Sequence, residues 1–216
     1  MIKNKIFSLG YRLVGFGLAL SGIIIKLLEV RLWKDVLTFT FLSCLFACVL
    51  LGMLAIRTLI SLIKEGAHGD SSFFPRLEGI ATILIFFTLV VYWAIVAPGK
   101  DSNLFTYLNI TLHLVIPILV IVDYIVVRGS NFMKKIDLII YIIPPLIYWI
   151  FIIIIGFLKL VAFESDNYFP YGFMNFHKSA LPGAIILPAI VLVYVGVTFL
   201  LYFLDTKFKT KPTLIK

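Results

Sequence analysis

The sequence predicts an all-α membrane protein of six transmembrane helices, with both termini on the cytoplasmic side. Three observations carry this prediction. Hydrophobic residues make up 62% of the chain, against roughly 45–50% in a soluble domain, and charged residues only 14%. A water-soluble fold of this composition lacks the polar residues to cover its surface. Six apolar stretches approach the roughly 20 residues that a bilayer span requires, and basic residues punctuate them.

The first stretch, residues 7–28, follows Lys3 and Lys5, as in a secretory signal. No small-residue cleavage site follows and Lys26 closes the run, so a retained span is expected. Arg12, near its start, is expected to snorkel to the interface. The second stretch, residues 36–63, has room to tilt, with Arg57 snorkelling near its end. The third, residues 79–97, stops before Pro98-Gly99. The fourth, residues 104–127, holds Pro117 in its middle. The fifth, residues 137–158, carries Pro144-Pro145 near its start. The sixth, residues 180–204, has Pro182 in its first turn and Pro188 inside. Pro117 and Pro188 are expected to kink their helices. No internal repeat and no soluble domain is visible, so residues 1–216 read as a single six-helix domain.

Six spans place both termini on one side. That side carries eleven basic residues: Lys3, Lys5, Lys64, Arg76, Arg128, Lys134, Lys135, Lys207, Lys209, Lys211 and Lys216. The other carries six: Lys26, Arg31, Lys34, Lys100, Lys159 and Lys178. The positive-inside rule then puts the termini in the cytoplasm, with the spans in the cell membrane. The net charge of +8 forms no groove-like stripe, which argues against a nucleic-acid partner. It reads as a topology signal and as contacts to anionic lipid headgroups. Cys44 and Cys48 lie one turn apart, where a bridge needs distorted geometry, so they read as small packing residues.

Two loops are long. Residues 64–78, with Gly-Ala-His-Gly-Asp-Ser-Ser, read as a plain polar linker, and His68 has no site around it. Residues 159–179 mix Glu164, Asp166, Asn167, Tyr168, Tyr171, Asn175 and His177 with four phenylalanines. A loop this aromatic is expected to fold back on the outer end of the bundle as a partial cap.

Ionisable residues inside a span are costly and are functional candidates by default. His113 lies in the middle of the fourth stretch, four residues after Asn109 and so on the same helix face. Asn109 is placed to orient the imidazole. The alternative is that His113 only bonds a neighbouring helix. The second stretch opens with Leu37-Thr38-Phe39-Thr40-Phe41-Leu42-Ser43, where Thr40 and Ser43 share a face. Span hydroxyls usually bond back to their own helix, but depth links these to the histidine. Thr40 lies roughly 6 Å inside the outer boundary and His113 roughly 14 Å, at 1.5 Å per residue. Asp123 is about 15 Å beyond His113 along the helix and is expected to pair with Arg128 or a neighbouring helix. No nucleophile elbow, zinc-protease motif or phosphate loop appears, and three histidines in three places make no metal site. No cofactor or metal is expected.

Several stretches together resemble the bacterial Pr-six-Pr family of small integral membrane proteins. They are Phe39-Thr40-Phe41-Leu42-Ser43, Leu112-His113-Leu114-Val115-Ile116-Pro117 with Asp123-Tyr124, and Tyr168-Phe169-Pro170-Tyr171. That family is related to the animal androgen-induced proteins, which hydrolyse fatty acid esters of hydroxy fatty acids. The resemblance runs from about Trp33 to the sixth span. It implies a threonine nucleophile on the second helix and a histidine on the fourth, which His113 matches. Thr40 fits the bacterial pattern, and Thr38 the animal Leu-Thr-Phe pattern. Cys44 stands where bacterial relatives often have Asn.

The resulting expectation is an intramembrane Thr/His hydrolase of lipid esters, with Thr40 as nucleophile and His113 as base. Asn109, Tyr168 and Ser43 are candidate oxyanion donors, and His177 lies in a loop able to reach the site. The ester would enter from the bilayer and water from outside. Two rivals stand beside it. A structural or regulatory membrane protein would use Thr40 and His113 only as glue. A small transporter would line one path with His113 and Asp123.

Overall fold

The computed structural model describes residues 3–29, 33–99, 104–127, 133–163 and 166–207. Of the residues named above, Arg31, Lys100, Arg128, Glu164, Lys209, Lys211 and Lys216 lie outside them. Six helices are long and apolar enough to cross a membrane, and no strand occurs among the described residues. They are α1 (Lys5–Glu29), α2 (Phe39–Glu65), α3 (Pro75–Val96), α4 (Tyr107–Val127), α5 (Asp137–Phe157) and α6 (Leu181–Lys207). Each covers an expected stretch, with ends displaced by a few residues.

Local chemistry explains where the helices begin. α2 starts after Thr38, whose backbone is extended and whose side-chain oxygen accepts the Phe41 N–H at 3.4 Å as an N-cap. α3 starts at Pro75, where a missing N–H removes no helical bond. The buried Glu78 carboxylate accepts the N–H groups of Phe73 and Phe74 just before it.

α3 is the hub of the bundle, touching α2, α4, α5 and α6. On one side Ala19, Leu51, Ile85 and Ile116 join α1, α2, α3 and α4 in a core. On the other, Ile83, Phe87, Ile152, Phe169 and Tyr194 join α3, α5, α6 and the loop before α6. Two glycines make this second core possible. A Cβ on Gly79 would run into the Tyr141 phenol, and one on Gly156 into the Phe169 ring. Small residues let elements approach closely where no water is present to drive packing.

The prolines open the helices at specific carbonyls, and neighbouring helices fill the gaps. Proline lacks the N–H that its fourth predecessor's carbonyl would accept. For Pro117 that carbonyl belongs to His113, and the Trp93 indole N–H of α3 donates to it at 3.0 Å. For Pro145 it belongs to Tyr141, and the Tyr194 hydroxyl of α6 donates to it at 2.8 Å.

Alternation puts both termini at one end of the bundle, the terminal end. Lys5 pairs there with Glu65 at 2.8 Å, Arg76 with Asp137 at 2.8 Å, and Asp205 accepts the Met133 N–H. Two expectations fail at this end. Arg12 does not snorkel: it is fully buried and forms a bidentate pair with Asp123 of α4, at 2.9 and 3.2 Å. Its third nitrogen donates to the Thr58 hydroxyl and the Ser71 carbonyl, both at 2.7 Å. The charge stays inside because four hydrogen bonds and a counter-charge replace water there. Residues 64–78 are likewise no plain linker, since Ser71 is fully buried beneath Arg12. Arg57 does stay exposed, its guanidinium 5.8 Å from the Phe73 ring.

At the opposite end the aromatic loop folds back, as expected. Phe169 and Met174 are fully buried, and Phe169 meets Phe157 edge to face at 5.8 Å. Cys44 and Cys48 are buried free thiols.

Candidate functional site

The site is a cavity of about 330 Å³ at the end of the bundle opposite the termini. That volume falls within the roughly 300–1,000 Å³ of small-molecule sites. The first turn of α2 contributes Thr38, Thr40 and the Phe39 and Phe41 rings. α4 contributes Leu108, Asn109, Leu112 and His113. α3 adds Phe87, Thr88, Val91 and Tyr92, and the aromatic loop before α6 adds Pro170, Tyr171 and Phe173. Lys26 and Asp35, whose charges are 3.9 Å apart and half-exposed, stand at the rim.

Three devices hold His113, which is 9% exposed. Its Nδ1 lies 3.0 Å from the Asn109 backbone carbonyl one turn earlier. Its ring stacks on Tyr92 of α3, with centroids 3.4 Å apart and planes within 15°. Its own carbonyl is the one that Pro117 leaves without a helical donor and Trp93 fills. The backbone around it, Thr111–Val115, is a π-helical turn, a widening found frequently at functional sites. Tyr92 opens another such turn, Tyr92–Val96, so both faces of the stack lie on locally widened helix. The tautomer that donates from Nδ1 to the Asn109 carbonyl carries its lone pair on Nε2.

The two threonines differ. The Thr38 hydroxyl donates to the Asp35 carbonyl at 2.9 Å and accepts from Phe41 N–H, so it is spent on capping α2. Thr40 is the second residue of the helix, lines the cavity and is not the residue that caps it.

The remaining expected residues divide. Asn109 lines the cavity, and its backbone carbonyl meets the imidazole Nδ1. Ser43 is buried farther along α2 and does not line the cavity. Tyr168 and His177 lie in the aromatic loop before α6 and do not line the cavity. Tyr168 sits under the Lys159 ammonium at 5.6 Å, and His177 Nε2 approaches the Gly156 carbonyl at 3.2 Å. Asp123 belongs to the Arg12 cluster.

Tyr171 is the residue that sequence reasoning passed over in favour of Tyr168. Its hydroxyl accepts the Phe39 N–H at 3.2 Å, at the N-terminus of α2 and one residue before Thr40. Burial pushes its phenol up to about 12, against the pull of the donors around its oxygen, so it stays protonated. The Tyr-x-Pro-Tyr run was the available signal. Only tertiary structure tells which of its two tyrosines faces inward.

Among the described residues no three His, Cys, Asp or Glu side chains come together as a metal site. No family model, characterised protein or solved structure matches the chain.

Proposed function

We propose that the cavity is a Thr/His hydrolase site for lipid esters, with Thr40 as nucleophile and His113 as general base. One observation supports this most: Thr40 and His113, on different helices and 73 positions apart, line the same cavity beside an apolar wall. The resemblance to the Pr-six-Pr family, and through it to the androgen-induced threonine hydrolases, points the same way.

The chemistry runs through these side chains alone. The Thr40 Oγ attacks the ester carbonyl carbon as His113 Nε2 takes its proton. The carbonyl π electrons pass to oxygen, which needs donors in a water-poor site. Collapse breaks the ester C–O bond, and the imidazolium returns its proton to the departing alkoxide. Water, activated by the same imidazole, then releases the acid and restores Thr40. General-base assistance of this kind is worth about 10²–10⁴-fold.

The cavity lies at the end with fewer basic residues. By the positive-inside rule this is the outer end, with both termini cytoplasmic and the basic terminal end against anionic headgroups. The acyl chain then enters from the bilayer, water enters from outside, and Phe39, Phe41, Phe87 and Leu112 hold the chain.

A fluorophosphonate probe applied to the purified chain in detergent tests this reading. Labelling is expected in the wild type and absent in Thr40→Ala and His113→Ala variants of equal size-exclusion profile. A well-folded wild type that takes no label would transfer the two residues to a structural role. Label that survives both changes would place the nucleophile elsewhere.

A further inference from the structure

We infer that Tyr171 is the oxyanion donor of this site: its hydroxyl hydrogen-bonds the ester oxygen as Thr40 attacks. The inference rests on the Thr/His reading and assigns its missing electrostatic component.

Acyl transfer needs three groups around the carbonyl: a nucleophile, a base, and donors on the oxygen as charge develops. The cavity has the first on α2 and the second on α4. Asn109 is on the same helix as the base and one turn from it, so it approaches from the base's side. Tyr171 comes from a third element, the folded-back outer loop, and lines the cavity next to Thr40.

The position of its oxygen gives it more than proximity. It accepts the Phe39 N–H at the first turn of α2, a helix of 27 residues. That end of a helix carries partial positive charge, and an N–H that donates to a hydroxyl polarises its O–H. A hydroxyl so placed is a stronger donor to a third oxygen. Tyr171 thus hands the helix N-terminus on to the substrate, since its hydroxyl already accepts the Phe39 N–H. A phenol buried at this point also stays neutral and keeps the proton it must share.

The loop is built to hold it. Phe169, two residues earlier, is fully buried against Gly156, and Tyr171 stacks on Phe173 with planes 11° apart.

The test is hydrolysis of p-nitrophenyl laurate by the full chain in detergent, with Thr40→Ala, His113→Ala, Asn109→Leu and Tyr171→Phe variants. Tyr171→Phe is expected to lower kcat by about 10²–10³-fold with KM little changed, as loss of one oxyanion donor does. Fluorotyrosines of graded acidity placed at 171 are expected to change kcat in step with that acidity, which a purely structural cap would not do. If kcat survives in Tyr171→Phe while Thr40→Ala and His113→Ala abolish it, the inference is wrong and the hydrolase reading stands. A kcat that falls only with Asn109→Leu would move the role to Asn109. A kcat that falls in Tyr171→Phe together with the unfolding temperature, and is indifferent to the fluorotyrosines, would reduce Tyr171 to a helix cap. Wild-type inactivity, or activity that Thr40→Ala and His113→Ala leave intact, would overturn the parent reading itself.

Discussion

Two polar clusters sit inside this apolar bundle, and they are built on opposite principles. At the terminal end, Arg12 and Asp123 are closed on each other, and Thr58 and Ser71 take the remaining donors. At the other end, Thr40 and His113 face a cavity of about 330 Å³. The first cluster leaves no room for a ligand and joins α1, α2, α4 and the 64–78 segment. The second spends its helix-ordering bonds on Thr38, Trp93 and Tyr92 and keeps Thr40 on the cavity wall. An ionisable residue in a span is therefore not by itself a site. What separates glue from site is whether its partners exhaust its bonds or its surroundings leave space.

The comparison is sharpest where the two ends respond differently to mutation. His113→Gln is expected to lower lipid-ester hydrolysis by about 10²–10⁴-fold, with the unfolding midpoint unchanged. Rates measured beside a thermal melt in detergent check both halves of that statement, and a melt that falls with the rate would make His113 glue. Asp123→Ala is expected to cost about 3–5 kcal/mol of stability, because it strands a buried guanidinium. The paired replacement Arg12→Met with Asp123→Leu is expected to recover most of that loss. A denaturation series on the three chains decides, and full stability of Asp123→Ala alone would mean that the cluster is not a lock.

Gly156→Ala is expected to cost about 1–3 kcal/mol, since its methyl displaces the Phe169 ring. It should also lower activity, because the same loop carries Tyr171; unfolding and hydrolysis assays on one preparation read both. The smallest effect is expected at Thr38. Thr38→Ala removes the α2 cap for about 1 kcal/mol, whereas Thr38→Ser keeps it. Neither is expected to abolish hydrolysis, and an alanine variant that is folded but inactive, with activity restored in the serine variant and retained in Thr40→Ala, would make Thr38, not Thr40, the nucleophile.

Much of this architecture was legible in the chain. Hydropathy alone marked six helices, because a helix that meets lipid must be apolar along its whole length. Spacing along one helix paired Asn109 with His113, and the Asn109 backbone carbonyl meets the imidazole. Depth bookkeeping set Thr40 and His113 in the same half. Ser43, three residues farther along α2 than Thr40, is buried and does not line the cavity. Arg12 was misjudged. Snorkelling is the cheapest answer for a lone arginine, and its partner Asp123 is 111 residues away.

The amino-acid order by itself thus determined the spans and the places where Pro117 and Pro145 strip a carbonyl of its donor. These are local consequences of side-chain hydropathy and of a ring that has no N–H. Tertiary structure alone decided that Trp93 and Tyr194 supply the missing donors, that Asp123 neutralises Arg12, and that Tyr171 rather than Tyr168 faces Thr40. Each depends on how helices far apart in the chain are rotated against one another, and periodicity along one segment carries no information about that rotation.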